Sequence, residues 1–170
     1  TCWFLAADFD KSTWTEDVSA FTETCRGAGI PAAVERSRSG NGAHVWFFFA
    51  EPVPANLARK MGCFLITEPM ARRHQLAMEA YARLFPNQDT LPRGGFGNLI
   101  ALPLQHGPAQ KSNTVFMDGN FEPFPDQWSY LAAVDRLDRK TLEAIAAEAV
   151  RRGRVGGVRW AGVFDDDDET

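Results

Sequence analysis

Cysteine is scarce in this chain: Cys2, Cys25 and Cys63 are odd in number and widely spaced. That argues against a disulfide framework or a zinc knuckle and suits reduced thiols used for packing. Long apolar runs are missing too, since the stretches at 45–50 and 98–104 fall well short of the roughly 20 residues a membrane crossing needs. The first seven residues lead straight into charged sequence, without the basic start and apolar core of a secretory signal, so a cytoplasmic location is expected. No segment repeats, and no large basic tract marks a nucleic-acid groove.

What remains is the composition of an ordinary globular protein. The 170 residues are 45% hydrophobic, 12% aromatic and 24% charged, enough for one domain with a real core. The formal charge is −4, but the Asp-Asp-Asp-Asp-Glu run at 165–169 supplies five negative charges and leaves the rest near +1. We therefore read 1–164 as the folded unit and 165–170 as a solvated acidic tail or linker.

The hydrophobic pattern predicts a strand over 3–9 and a helix over 14–26 stopped by Gly27 and Gly29. Strands at 32–36 and 43–49 flank a polar glycine-bearing turn at 37–42 and make a hairpin. Helical stretches are expected at 55–61 and 70–84, a loop at 86–97, and strands at 98–102 and 114–117. Over 139–152, Leu142, Ile145, Ala146, Ala149 and Val150 form one stripe, as in an amphipathic helix ending before Gly153. The order strand, helix, strand, strand, helix, strand predicts an α+β fold with an RNA-recognition-motif-like, or palm-like, antiparallel sheet flanked by helices.

Three features carry chemistry. Asp8 and Asp10 end the first strand, and positions two apart point to one face, so both carboxylates project together. Paired carboxylates repel unless a cation lies between them, and their hard oxygens favour Mg²⁺ or Mn²⁺. The same triplet also occurs where aspartates only cap a strand, and in glycosyltransferases and cyclases. Next, the 37–42 turn sets Ser39, Gly40, Asn41 and Gly42 before His44, with Arg36 and Arg38 beside them. Its glycines let backbone N–H groups approach an anion, as in a phosphate cradle. Finally, Asp118 closes the apolar run 114–117, with Lys111 upstream; an aspartate there is otherwise an ordinary turn residue. Arg93, in the glycine-rich loop 93–98, is a weaker candidate for phosphate contact.

Taken together, the segments FLAADFD, RSRSGNGAHVWFFF, GGFGNLIALPLQ and NTVFMD resemble the archaeo-eukaryotic primase superfamily, in particular the primase domain of TOTE conflict systems, over about residues 3–130. The resemblance implies that Asp8 and Asp10 form the first motif, Ser39 and His44 the second, and Asp118 the third. Related polymerase domains of end-joining ligases carry a basic residue seven positions before the third motif, where Lys111 stands here. The implied activity is template-dependent nucleotide joining, a DNA primase/polymerase using nucleoside triphosphates and two Mg²⁺ or Mn²⁺ ions. Asp8, Asp10 and Asp118 would hold the metals, while Ser39, Gly40, Asn41, Gly42, His44, Lys111, Arg36 and Arg38 would bind the triphosphate. Implied partners are a DNA or RNA template or primer and a helicase and nuclease of the same defence system, with no membrane. Two rivals share these residues: a palm-fold nucleotide cyclase and a non-catalytic RNA-recognition-like module whose sheet aromatics stack bases.

On this reading the 114–117 strand pairs beside the first strand, bringing Asp118 to the aspartate pair.

Overall fold

The structure is a computed structural model that describes residues 1–72, 83–90, 94–95 and 97–153. In chain order it contains β1 (Cys2–Phe9), α1 (Trp14–Gly27), β2 (Ala33–Arg36), β3 (Ala43–Val53), α2 (Ala55–Arg72), β4 (Arg83–Phe85), α3 (His106–Ala109), β5 (Phe116–Met117), α4 (Gln127–Ala133) and α5 (Arg139–Arg151). The strands form one five-stranded sheet in the order β4-β1-β3-β2-β5, antiparallel at every pairing. The α+β class follows from this sheet and its helices.

Side-chain alternation divides the sheet between two cores. Leu5, Ala7 and Phe9 of β1, with Val45, Phe47 and Phe49 of β3, enter a core completed by Phe21 of α1, Met61 and Leu65 of α2 and Leu142 of α5. Burying a ring such as Phe47 contributes about 1.5–3 kcal/mol. On the opposite face Ala6, Ala33, Trp46 and Phe116 are covered by Ile100, Leu104, Phe124 and Tyr130. Both faces are therefore roofed, and polar chemistry is left to the strand ends. Cys25 lies buried in the first core, where burial pushes its thiol up to about 12, and all three cysteines are free thiols. That agrees with a packing role.

The terminal helix follows its sequence signals except at Val150, which the expected stripe included and which is 53% exposed. Asp138 caps α5 by accepting the Thr141 amide at 2.7 Å, Leu142, Ala146 and Ala149 are buried, and Gly153 has φ +65°. The α1 helix and the β2–β3 hairpin also lie within a few residues of their predicted bounds.

Elsewhere the expectations need correction. The helix expected at 55–61 is present and continues as α2 to Arg72; of the helix expected at 70–84, residues 73–82 lie outside the described set, and Arg83 and Leu84 belong to the strand β4. No strand forms at 98–102, where Ile100 and Leu104 turn onto the second core while Leu99 is 80% exposed. The 114–117 strand shortens because Thr114 has φ +56°, a left-handed conformation rare for a β-branched residue. That residue is fully buried; its N–H donates to Arg36 O at 2.8 Å and its carbonyl accepts from the Leu104 amide at 2.6 Å. Among the described residues, no helix is long and apolar enough to cross a membrane.

Candidate active site

Register places the first two motifs side by side. Asp8 is the cross-strand partner of His44, and His44 is the partner of Glu35, so three polar side chains stand in one row across β1, β3 and β2 on the Trp46 face. His44 Nε2 is 3.7 Å from Asp8 Oδ1, and His44 Nδ1 is 3.0 Å from Glu35 Oε2. On the other side of β1, Arg83 of β4 is the partner of Asp8, and its Nη2 donates to Asp10 Oδ2 at 3.2 Å. Lys11 Nζ lies 4.0 Å from Asp10 Oδ1.

These neighbours determine the electrostatics. Burial pushes the Asp8 carboxyl above the ordinary aspartate value; His44 pulls it back, the Asp10 charge pushes it up again, and Arg83 pulls it down. Two interacting carboxylates are thus partly neutralised by Arg83 and Lys11, the role a divalent ion would also fill. Asp8 and Asp10 offer hard oxygens suited to an ion whose remaining positions are completed by triphosphate oxygens and water. Among the described residues, no group of three or more histidine, cysteine or acidic side chains is arranged to hold a metal.

The glycine turn packs directly against this site. A Cβ on Gly42 would lie 2.5 Å from the Phe9 carbonyl oxygen, so the absent side chain lets the turn touch the end of β1 next to Asp10. Gly40 has φ +81°, and a Cβ there would lie 2.8 Å from Asn113 Oδ1. The turn closes through Ser37 N–H to Gly42 O at 2.9 Å, while Ser39 Oγ accepts from the Asn41 amide at 3.2 Å. Arg38, Ser39 and Asn41 remain exposed.

A glycine turn, an aspartate pair and a histidine now share one end of the sheet, in the sequence order of the motifs. The family model for the archaeo-eukaryotic primase domain of TOTE conflict systems matches residues 1–145. The chain belongs to that family. No curated protein matches the chain. Membership points to primase-like nucleotidyl transfer within a conflict system.

In this primase domain Asp118 does not reach Asp8 and Asp10. Its strand, β5, pairs with β2 at the far edge of the sheet, three strands from β1 or roughly 14 Å at about 4.8 Å per strand. β5 also runs antiparallel to β1, so Asp118 lies beyond the Glu35–Phe116 level, toward the end where β1 begins. Its Oδ1 accepts the amides of Asn120 at 2.8 Å and Glu122 at 3.0 Å, the bonding of a turn aspartate. The expected convergence of three aspartates is corrected on this point.

Arg36 also departs from expectation. As the strand neighbour of Glu35 it points to the opposite face, where Nη2 donates to the Phe121 carbonyl at 3.0 Å rather than meeting the turn. Lys111 is exposed in the turn after α3, and two residues later Asn113 Nδ2 donates to Arg38 O at 3.2 Å, so its segment does cross the cradle. Arg93 lies outside the described residues.

Sequence reasoning missed Glu35 and Arg83. The hairpin bounds held the signal for the first, since pairing 32–36 with 43–49 across a turn at 37–42 sets Glu35 opposite His44. Arg83 was hidden because its segment reads as helix.

Proposed function

We propose that this domain is a template-dependent nucleotidyltransferase, a DNA primase/polymerase that joins nucleoside triphosphates with Mg²⁺ or Mn²⁺. The observation that carries this reading is the Gly42 contact, which sets an anion-ready turn against the aspartate-bearing end of β1, beside His44. Asp8 and Asp10 would hold the divalent cation, which when bound supplies charge neutralisation and helps align the primer hydroxyl with the α-phosphate. The exposed Ser39 and Asn41, the backbone of Gly40 and Gly42, and Arg38 receive the triphosphate, with His44 contacting it from the strand floor. Lys111 adds positive charge from the segment crossing the turn. Arg83, whose Nη2 donates to Asp10 Oδ2, would add positive charge beside the triphosphate. The sheet corresponds to the palm of this enzyme class.

A base-stacking module is less well supported. Trp46 and Phe116, which such a module would expose, are both fully or almost fully buried beneath the second core's cover. Partners in this reading are the DNA or RNA template and primer, and a helicase and nuclease of the same system.

Primer-extension and de novo priming assays with all eight nucleotides, in Mg²⁺ and in Mn²⁺, test the proposal. Metal-dependent growth of a templated product is expected. A cyclic nucleotide as the sole product would favour the cyclase, and template binding unaffected by chelation and without synthesis would favour the binding module.

A further inference from the structure

Glu35 is a carboxylate with no solvent exposure at all. Its Oε2 accepts from Trp46 Nε1 at 2.6 Å and lies 3.0 Å from His44 Nδ1, while its Oε1 is buried with no partner among the described residues. Burying a carboxylate is costly, and leaving one oxygen unbonded adds to the cost, so packing alone would favour an apolar residue of similar volume. The local chemistry defines what the carboxylate does instead. An indole N–H can only donate, so it meets the Glu35 carboxylate oxygen as an acceptor. As a carboxylate Glu35 offers only acceptor oxygens, so the bond to His44 takes its hydrogen from Nδ1. The other ring edge, Nε2, is left facing Asp8 Oδ1 at the end of β1 where the glycine turn packs.

We propose that Glu35 is the positioning residue for His44: by holding the Nδ1 side at 3.0 Å it fixes the ring orientation, so that the Nε2 edge faces the incoming nucleoside triphosphate, to whose oxygens an Nε2–H would donate. This rests on the reading of His44 as a triphosphate contact. Trp46 braces the carboxylate from the strand interior, and the shared row across β2, β3 and β1 transmits the placement from the core to the site. A histidine held this way loses no freedom on meeting its ligand, the usual benefit of a hydrogen-bonded partner behind a functional imidazole.

The first test needs no substitution. Long-range ¹H–¹⁵N spectra of the imidazole in the intact chain should show a hydrogen on His44 Nδ1, and with a non-hydrolysable nucleoside triphosphate bound a hydrogen on Nε2 as well. A ring with no hydrogen on Nδ1 overturns the role of Glu35 whatever the function of the site. The second test compares Glu35→Leu with Glu35→Gln, each checked for folding by thermal melting. Glutamine retains an acceptor and should keep nucleotide KM within about three-fold, whereas leucine should raise it about ten-fold with template affinity unchanged. No rise in a folded Glu35→Leu, or an equal rise in both variants, overturns the proposal. If the leucine variant does not fold, the spectrum of the intact chain decides. In a His44→Ala background, Glu35→Leu should add no further rise; an undiminished effect there means Glu35 does not act through His44. Unchanged nucleotide KM in His44→Ala alone removes the triphosphate reading, and the proposal's link to nucleotide with it, while leaving the Nδ1–H result standing.

Discussion

Asp8 and Asp118 both close apolar runs, and both stand where the family resemblance seeks a metal ligand, but their surroundings differ in kind. Asp8 faces His44 across one strand and has Arg83 opposite it on the other side. Burial holds its carboxyl above the ordinary value, so it sits in a place that favours an added cation. Asp118 is occupied by the chain itself, through the amides of Asn120 and Glu122. A carboxylate whose lone pairs hold a turn together has a structural task, whereas one facing ionisable side chains has an electrostatic one. The lesson is that the residue type after a strand matters less than what its oxygens already bond.

The sharpest way to break that contrast is to neutralise each aspartate in turn. Asp8→Asn or Asp10→Asn should cost at least about 3 kcal/mol of transition-state stabilisation, roughly a hundred-fold in nucleotide transfer. Asp118→Asn should leave the rate within about two-fold, because an amide oxygen can still accept turn amides. Steady-state primer extension measures all three, and a loss in Asp118→Asn matching that in Asp8→Asn would erase the distinction drawn between them.

His44→Ala comes next in expected size. Loss of a charge-assisted hydrogen bond of about 1.5–3 kcal/mol should weaken triphosphate binding roughly ten- to a hundred-fold, with template affinity little changed. Nucleotide titration followed by fluorescence checks it, and wild-type affinity in the variant would remove His44 from the site.

Much of this is legible in the sequence, for reasons that can be named. β1, α1, the β2–β3 hairpin and α5 follow from strong periodicity and from caps or turns in the right places, so Asp8, Asp10, Ser39 and His44 stand out from the residue pattern alone. What the pattern does not convey is strand order. The 114–117 run joins the edge at β2 because Thr114, in its left-handed conformation, bonds to Arg36, a contact with no local signature. Arg36 misleads for a related reason, because proximity along the chain conceals that it faces the other side of the sheet from His44. Glu35, by contrast, is derivable from hairpin register, since its place opposite His44 follows from the bounds of the two strands.

Glycine substitution sharpens the comparison between the cradle and the rest of the fold. Gly42→Ala forces a Cβ toward the Phe9 backbone oxygen and should destabilise by about 1–3 kcal/mol while disturbing nucleotide binding. Gly27→Ala, at the end of α1 with nothing within 4 Å, should be neutral or slightly stabilising. Paired thermal melts resolve the two, and equal stabilities would show that the turn does not press on β1. The smallest effect is expected at Lys111, exposed beside the cradle. Lys111→Ala should weaken triphosphate binding only several-fold, by about 1 kcal/mol, and leave the melting midpoint unchanged. Extension kinetics identical to wild type would make it a plain surface lysine.

The central claim, that the metal-dependent nucleotide site is built at the Asp8 end of the sheet and not around Asp118, is tested most directly by calorimetric titration of Mn²⁺ with a non-hydrolysable nucleoside triphosphate into the wild type, Asp8→Asn and Asp118→Asn. The account predicts saturable, metal-dependent nucleotide uptake in the wild type and in Asp118→Asn, and its loss in Asp8→Asn. Uptake that survives in Asp8→Asn and disappears in Asp118→Asn would contradict it.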